Sequence, residues 1–371
     1  MPTRRDNLLA VLRGEEPDWV PVSINCAQWF DHQQSLGTLP TELEGGDYID
    51  ALLRLEFDIF SRNHDGGVRV RSAAPTRDES SETALGTRVT TIRDTPYGEL
   101  RSVRQEQRAI SCWHDEEYPV KDWATHGRAA WWAMEECAAD WNEAVFTTVR
   151  DRIGEAGIFV VPCACTPLKH LHHLCGLDGA CYAIMDHSED VAAYADAWWR
   201  RCVWPSLERL AAHPLVDAVI LMDNVDTPFY SPSIATVLWT PYVRAATELM
   251  RVAGKTLWVH ACGKLDGLCG EFAASGVTGL EGVAHPPLGD LEIATAHAIH
   301  PDFVYNGGFG AHEQNGDEDT VRAFYRDFLA RAGRRRLIVA SACNTAVQTP
   351  VERIRLVRDL IRDHCGFPRG S

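Results

Sequence analysis

Apolar runs of four to eight residues recur along the chain, each ending in a polar or metal-capable residue and each followed by a longer stretch with helical spacing. They read PVSIN (21–25), FDIFSR (57–62), IFVVPCAC (158–165), AVILMDN (218–224), TLWVHAC (256–262), VTGLEG (277–282), DFVYNGG (302–308) and RLIVASAC (336–343). Runs that stay apolar without alternation belong to strands buried on both faces, the signature of a parallel sheet covered by helices. The intervening segments DVAAYADAWWRRCVWPSLERLAAH and TPYVRAATELMRVAG place apolar residues three and four apart, the second stopping at Gly254. Eight such units predict an α/β fold of the TIM (β/α)8 barrel type, with its chemistry at the C-terminal strand ends.

The rhythm breaks once, between the second and third predicted strands. There TRVTTIRDTPYGELRSVRQEQ alternates as a hairpin about Pro96, Tyr97 and Gly98, and residues 117–157 read as largely helical. This predicts a hairpin-plus-helix insertion over about 66–155 within one domain spanning 1–371. A length of 371 residues suits a barrel of this kind.

Composition narrows the function. With 36 Lys and Arg against 52 Asp and Glu, the net charge of −16 repels nucleic-acid phosphates and anionic lipid headgroups. No apolar run approaches the roughly 20 residues of a membrane span. The segment MPTRRDNLLAVLRGEEPDWV puts Leu8, Leu9, Val11 and Leu12 on a short charged helix without the features of an export signal, so a cytoplasmic location is expected. The 12 cysteines are dispersed and read as reduced thiols.

The strand ends carry the candidate chemistry. His260 and Cys262 lie two apart on one strand and point to one side. Cys343 ends the last strand, and Glu281 ends one between them. An imidazole, two thiols and a carboxylate on neighbouring strand ends suit tetrahedral zinc; ordinary buried cysteines and a core histidine are the bland reading of the same residues. Asp223 and Asn224 end the AVILMDN strand, where the carboxylate suits an acid/base role, positioning of a substrate or support of a zinc-bound imidazole. Asn25, Gln28 and Trp29 follow the first strand as a polar rim and aromatic wall. His285 and Asp290 follow Glu281 in its loop. The His170, His172 and His173 group suits a solvated or lid loop better than a second metal, and Trp131, Trp132, Met134 and Trp141 read as a packed helix face.

On these residues the chain resembles the uroporphyrinogen decarboxylase superfamily, in its zinc-dependent corrinoid methyltransferase branch. RRDNLLAVLRGEEPDWVPV resembles the opening helix and strand, TPYGELRS the hairpin, and MDNVDTPFYSPS the segment leading to the metal strand. HAC at 260–262 with SACNTAVQTPVERI at 341–354 resembles the HxC…C zinc signature. The resemblance implies zinc on His260, Cys262 and Cys343, with Glu281 where the more distant cobalamin-independent methionine synthases place a carboxylate. It implies a small methyl donor or acceptor, and a corrinoid brought by a partner protein, since no DxHxxG cobalamin stretch is present. Uroporphyrinogen decarboxylases carry an arginine-rich segment where this chain reads NCAQWFD, which weighs against porphyrinogen decarboxylation.

Zinc so held can activate a thiol as methyl acceptor or polarise the oxygen of a methoxylated aromatic. Demethylation of a methoxylated aromatic is preferred, on the strength of Trp29 and the aromatic-rich insertion. A metal-free lyase using Asp223, and a non-catalytic zinc-stabilised binding barrel, stay open; so does the oligomeric state, a homodimer included.

Overall fold

The computed structural model describes residues 2–62 and 67–365; Gly66, at which the insertion is expected to open, lies outside them. Strands run β1 (Ile59–Ser61), β2 (Val68–Ser72), β3 (Thr76–Glu82), β4 (Thr87–Thr95), β5 (Gly98–Gln107), β6 (Cys112–Glu117), β7 (Cys137–Trp141), β8 (Gly157–Cys163), β9 (Ala218–Leu221), β10 (Thr256–His260), β11 (Gly279–Ala284), β12 (Val304–Phe309) and β13 (Leu337–Ser341). Seven form one parallel sheet in the order β1-β8-β9-β10-β11-β12-β13, curled with helices outside it as in a TIM barrel.

The first predicted strand, 21–25, departs from expectation in form and keeps its place. It makes only an isolated parallel bridge between Val22 and Val339 of β13. Yet Ser23 N donates to Val339 O and Val339 N to Pro21 O at 2.9 Å each, while Asp58 N donates to Val22 O at 3.0 Å just before β1. The segment therefore bridges the last and first strands of the sheet. Side chains replace part of the ladder: Asp58 Oδ2 accepts from Val22 N, and Ser23 Oγ from Phe60 N, both at 3.0 Å. Pro21 has no N–H to give.

Alternate residues of the sheet face inward. Phe60, Ile158, Val160, Ala218, Ile220, Trp258, Val304 and Ile338 form one apolar cluster, joined by Leu8, Val11 and Leu12 of the helix Arg4–Arg13. That helix opens with a Thr3/Asp6 capping box and plugs the barrel base. Arg5 ties it to Asp217 at 2.5 Å. Residues of opposite parity, such as Val161, Val219, Leu257 and Val339, pack outward in a second cluster with the helices.

The hairpin forms as expected, with Thr95 paired to Gly98, and it lies within an antiparallel β3-β4-β5-β6 sheet. The 117–157 stretch is less helical than its spacing suggests. Helices Trp123–Glu135 and Glu143–Ile153 flank β7, which pairs antiparallel with β2. An Ala-rich segment becomes a strand because β2 offers it an edge, a tertiary effect that overrides local propensity.

Candidate metal centre

The inward register that buries Trp258 brings His260, two residues on, to the top of β10, above the apolar interior. Glu281 sits beside His260 in the sheet register and Asn306 beside Glu281, while Arg62 follows Phe60 by the same two-residue step. The sheet thus carries an apolar interior and, one layer higher, an imidazole, a carboxylate, an amide and a guanidinium. Gly282 makes the close approach workable: its φ is 87°, and a Cβ there would lie 2.7 Å from His260 Cε1. A register shift between Glu281 and Val283 marks the same point.

Cys262 and Cys343 arrive on loops just past β10 and β13. The three ligand atoms of His260, Cys262 and Cys343 all lie within 4.8 Å of one another, with His260 Nε2 4.0 Å from Cys343 Sγ. A tetrahedral zinc with bonds of about 2.0–2.3 Å needs donors roughly 3.5–4 Å apart, so the set fits that ion with little movement. Cys343 adopts φ 103°, a strained conformation for a non-glycine residue that costs about 1–3 kcal/mol. Asn25 holds it there: its Nδ2 donates to Cys343 O at 2.5 Å, and its own carbonyl accepts from Thr345 N.

Glu281 stands on the other side of the imidazole. Its Oε2 is 2.6 Å from His260 Nδ1 and 2.6 Å from Arg62 Nε, and all three side chains are buried. A carboxylate on Nδ1 fixes the tautomer with Nε2 free toward the thiols, the arrangement that orients metal-binding histidines. Burial pushes the Glu281 carboxyl up, but Arg62 and His260 outweigh it and hold the group at about 2. Burial also opposes charge on His260, and the Glu281 carboxylate overcomes it, leaving the imidazole raised. Cys262 hydrogen-bonds Cys343 and pulls its thiol down to about 4 against the effect of burial, while Cys262 moves upward.

The other predicted residues scatter. Asp223 is fully buried, and its oxygens accept from Thr166 N (2.8 Å), Thr166 Oγ1 (2.7 Å) and Trp239 Nε1 (2.8 Å), while burial raises its pKa. Asn224, at φ 47°, is exposed at the rim. Gln28 donates to Ile110 O and Ser111 O of the insertion. Trp29 is 2% exposed and donates to Thr349 O, so its ring is core. His285 packs against Phe324 and Phe328 and lies 3.3 Å from Arg331. Asp290 accepts from Leu265 N and Asp266 N. His170 stacks on Trp198 with 3.5 Å between centroids; with His173 it lines a cavity of about 600 Å³ at the ends of β8 and β9, whereas His172 lines a separate one. Met134 is core, and Trp131 donates to Asp190. Arg62, buried against Glu281, is the member of this polar layer that sequence reasoning missed. A charge closing FDIFSR, in register with Phe60, was its signal.

The curled parallel sheet with a polar layer at the strand ends defines a TIM-barrel-like α/β protein. Among solved structures the chain is similar to a "methyltransferase from Methanosarcina mazei", with TM-score 0.64 and 13% identity over 98% of this chain and 99% of that one. It also matches a B12-independent methionine synthase from Shewanella sp. W3-18-1 at TM-score 0.43 and 10% identity, over 93% of this chain and 92% of that one. A putative vitamin-B12 independent methionine synthase from Listeria monocytogenes gives 0.40 and 14%, over 60% of this chain and 68% of that one. No protein-family profile matches the chain, and no curated protein sequence does. Among the described residues no helix is long and apolar enough to cross a membrane, and 11 cysteines are free thiols.

Proposed function

We propose that the protein is a cytoplasmic zinc-dependent methyltransferase that moves a methyl group between a small substrate and a corrinoid carried by a partner protein. The observation that carries this reading is the convergence of His260, Cys262 and Cys343 at the barrel mouth, with the far nitrogen of His260 clamped by Glu281. The three residues would hold zinc, which when bound acts as a Lewis acid on a thiol or an ether oxygen. Glu281 accepts the Nδ1 proton and keeps Nε2 a donor to the metal. Arg62 balances the Glu281 charge in a buried place and keeps that carboxylate ionised. Asn25 fixes the strained Cys343 loop. With Glu281 engaged on Nδ1, the donor set is three protein groups with a fourth position left for substrate, the pattern of a catalytic rather than a closed structural site. The lyase reading loses support, since Asp223 is fully buried and each of its oxygens already accepts a hydrogen bond.

The test is elemental analysis of protein purified without added metal, beside Cys343→Ser, followed by assay of methoxylated aromatics and thiols with corrinoid proteins. One zinc per chain, lost in the variant together with methyl transfer, is expected. A full complement of zinc and undiminished transfer in Cys343→Ser would overturn the assignment.

A further inference from the structure

Lys169 is a buried cation that the metal site does not use. It lies in the first turn of the helix Pro167–Asp186 and is 6% exposed. Its Nζ is 3.1 Å from His172 Nδ1, and among the described residues no carboxylate is within ion-pairing distance of it. Burial lowers its pKa below the ordinary lysine value; Asp223 opposes this most but has its oxygens turned to Thr166 and Trp239, and the Cys165 and Cys262 thiols and Asp115 act more weakly. An ammonium at a helix N-terminus also meets the positive end of the helix dipole. Buried charges in proteins are ordinarily paired, and this one has no anion beside it.

The cation faces a cavity. Lys169 and His172 line a space of about 240 Å³ together with Asn224, Asp226, Phe229 and Tyr230. Burial and the neighbouring Lys169 hold His172 at about 4, so the imidazole beside the ammonium is neutral. Among the described residues Asp226 is the one carboxylate in the lining, and its Oδ1 accepts from Lys264 N at 2.7 Å. That wall is fastened to the metal-bearing loop: Val225 N donates to His260 O, Gly263 N to Val225 O, and Asp226 packs so closely on Gly263 that a Cβ there would lie 2.4 Å from its Oδ1.

We propose that this cavity binds the carboxylate of a small aromatic acid, with Lys169 as its anchor and the Phe229 and Tyr230 wall holding the ring beside the loop of His260 and Cys262. The inference rests on the methyl-transfer reading of the mouth and names the substrate class for it. Lys169 is a specificity residue, not a member of the metal set.

The measurement is calorimetric titration of the zinc-loaded protein with 4-methoxybenzoate and with its neutral amide, 4-methoxybenzamide, without corrinoid. The wild type should bind the acid on the order of ten- to a hundredfold tighter, the value of a charge-assisted hydrogen bond. Lys169→Met should abolish that preference with zinc content intact, and Lys169→Arg should keep part of it. Equal binding of acid and amide, no binding of either, or an undiminished preference in Lys169→Met would overturn the proposal. Methyl transfer without an acid preference defeats this inference alone, whereas an acid preference without zinc or transfer leaves the site and defeats the enzymatic reading.

Discussion

The interior of the barrel and its mouth are built from the same strands, two residues apart, and they solve opposite problems. Below, Phe60, Trp258 and Val304 meet Leu8, Val11 and Leu12 in an apolar cluster, with the Trp258 indole N–H donating to Thr256 Oγ1 at 3.0 Å. Above, Arg62, His260 and Glu281 are as deeply buried but charged or polar, and each is held by a neighbour at 2.6 Å. The lower layer contributes stability through area; the upper layer survives only as a complete set, because removing one member strands another.

Four changes would break or sharpen that contrast. Trp258→Ala empties a wholly buried indole from the interior and should cost about 3–5 kcal/mol in urea unfolding, with zinc stoichiometry retained. Acid should act on the mouth through Glu281. The Glu281 carboxyl is held at about 2, below its ordinary 4.5, so its ion contributes stability that is present above pH 4.5 and lost as pH falls through 2. The loss is about 3 kcal/mol at most, and a Glu281→Gln protein should show a flatter melting-temperature profile over that window. The same Glu281→Gln change weakens the hold on His260 Nδ1 and should lower zinc affinity about ten- to a hundredfold in a chelator competition, with a smaller effect on the fold than Trp258→Ala. Arg5→Ala, at the base, removes one partly buried ion pair to Asp217 and should cost about 1 kcal/mol in unfolding while leaving zinc affinity untouched. A base mutation that altered metal binding would show that the two layers are not separable.

Much of this architecture was legible in the sequence because parallel strands advertise themselves as unbroken apolar runs. Seven of the eight predicted runs became strands of one sheet, and His260, Cys262 and Cys343 converge as their positions at run ends suggested. What stayed hidden has physical causes. The segment 21–25 looked like a strand, yet its bonds run through the Asp58 and Ser23 side chains, which apolar patterning does not report. Strand β7 is an Ala-rich stretch whose conformation is decided by β2 far away in sequence. Trp29 looked like an aromatic wall because it follows a strand end, but its indole turns inward to Thr349. Arg62 was overlooked because a charge at the end of an apolar run reads as a boundary, when its register with Phe60 put it inside.

The way the sheet is joined at 21–25 has a consequence for how the chain is made. Asn25 and Ser341 hydrogen-bond each other across 316 positions of sequence, and Val22 waits for Val339. At about 5–20 residues per second, the amino-terminal segment would emerge some tens of seconds before its partner exists. During that interval the segment 21–25 lacks its neighbour on the β13 side, an open edge able to pair with another nascent chain. Protection of the newborn protein therefore falls to whatever shields that edge until the last strand leaves the ribosome.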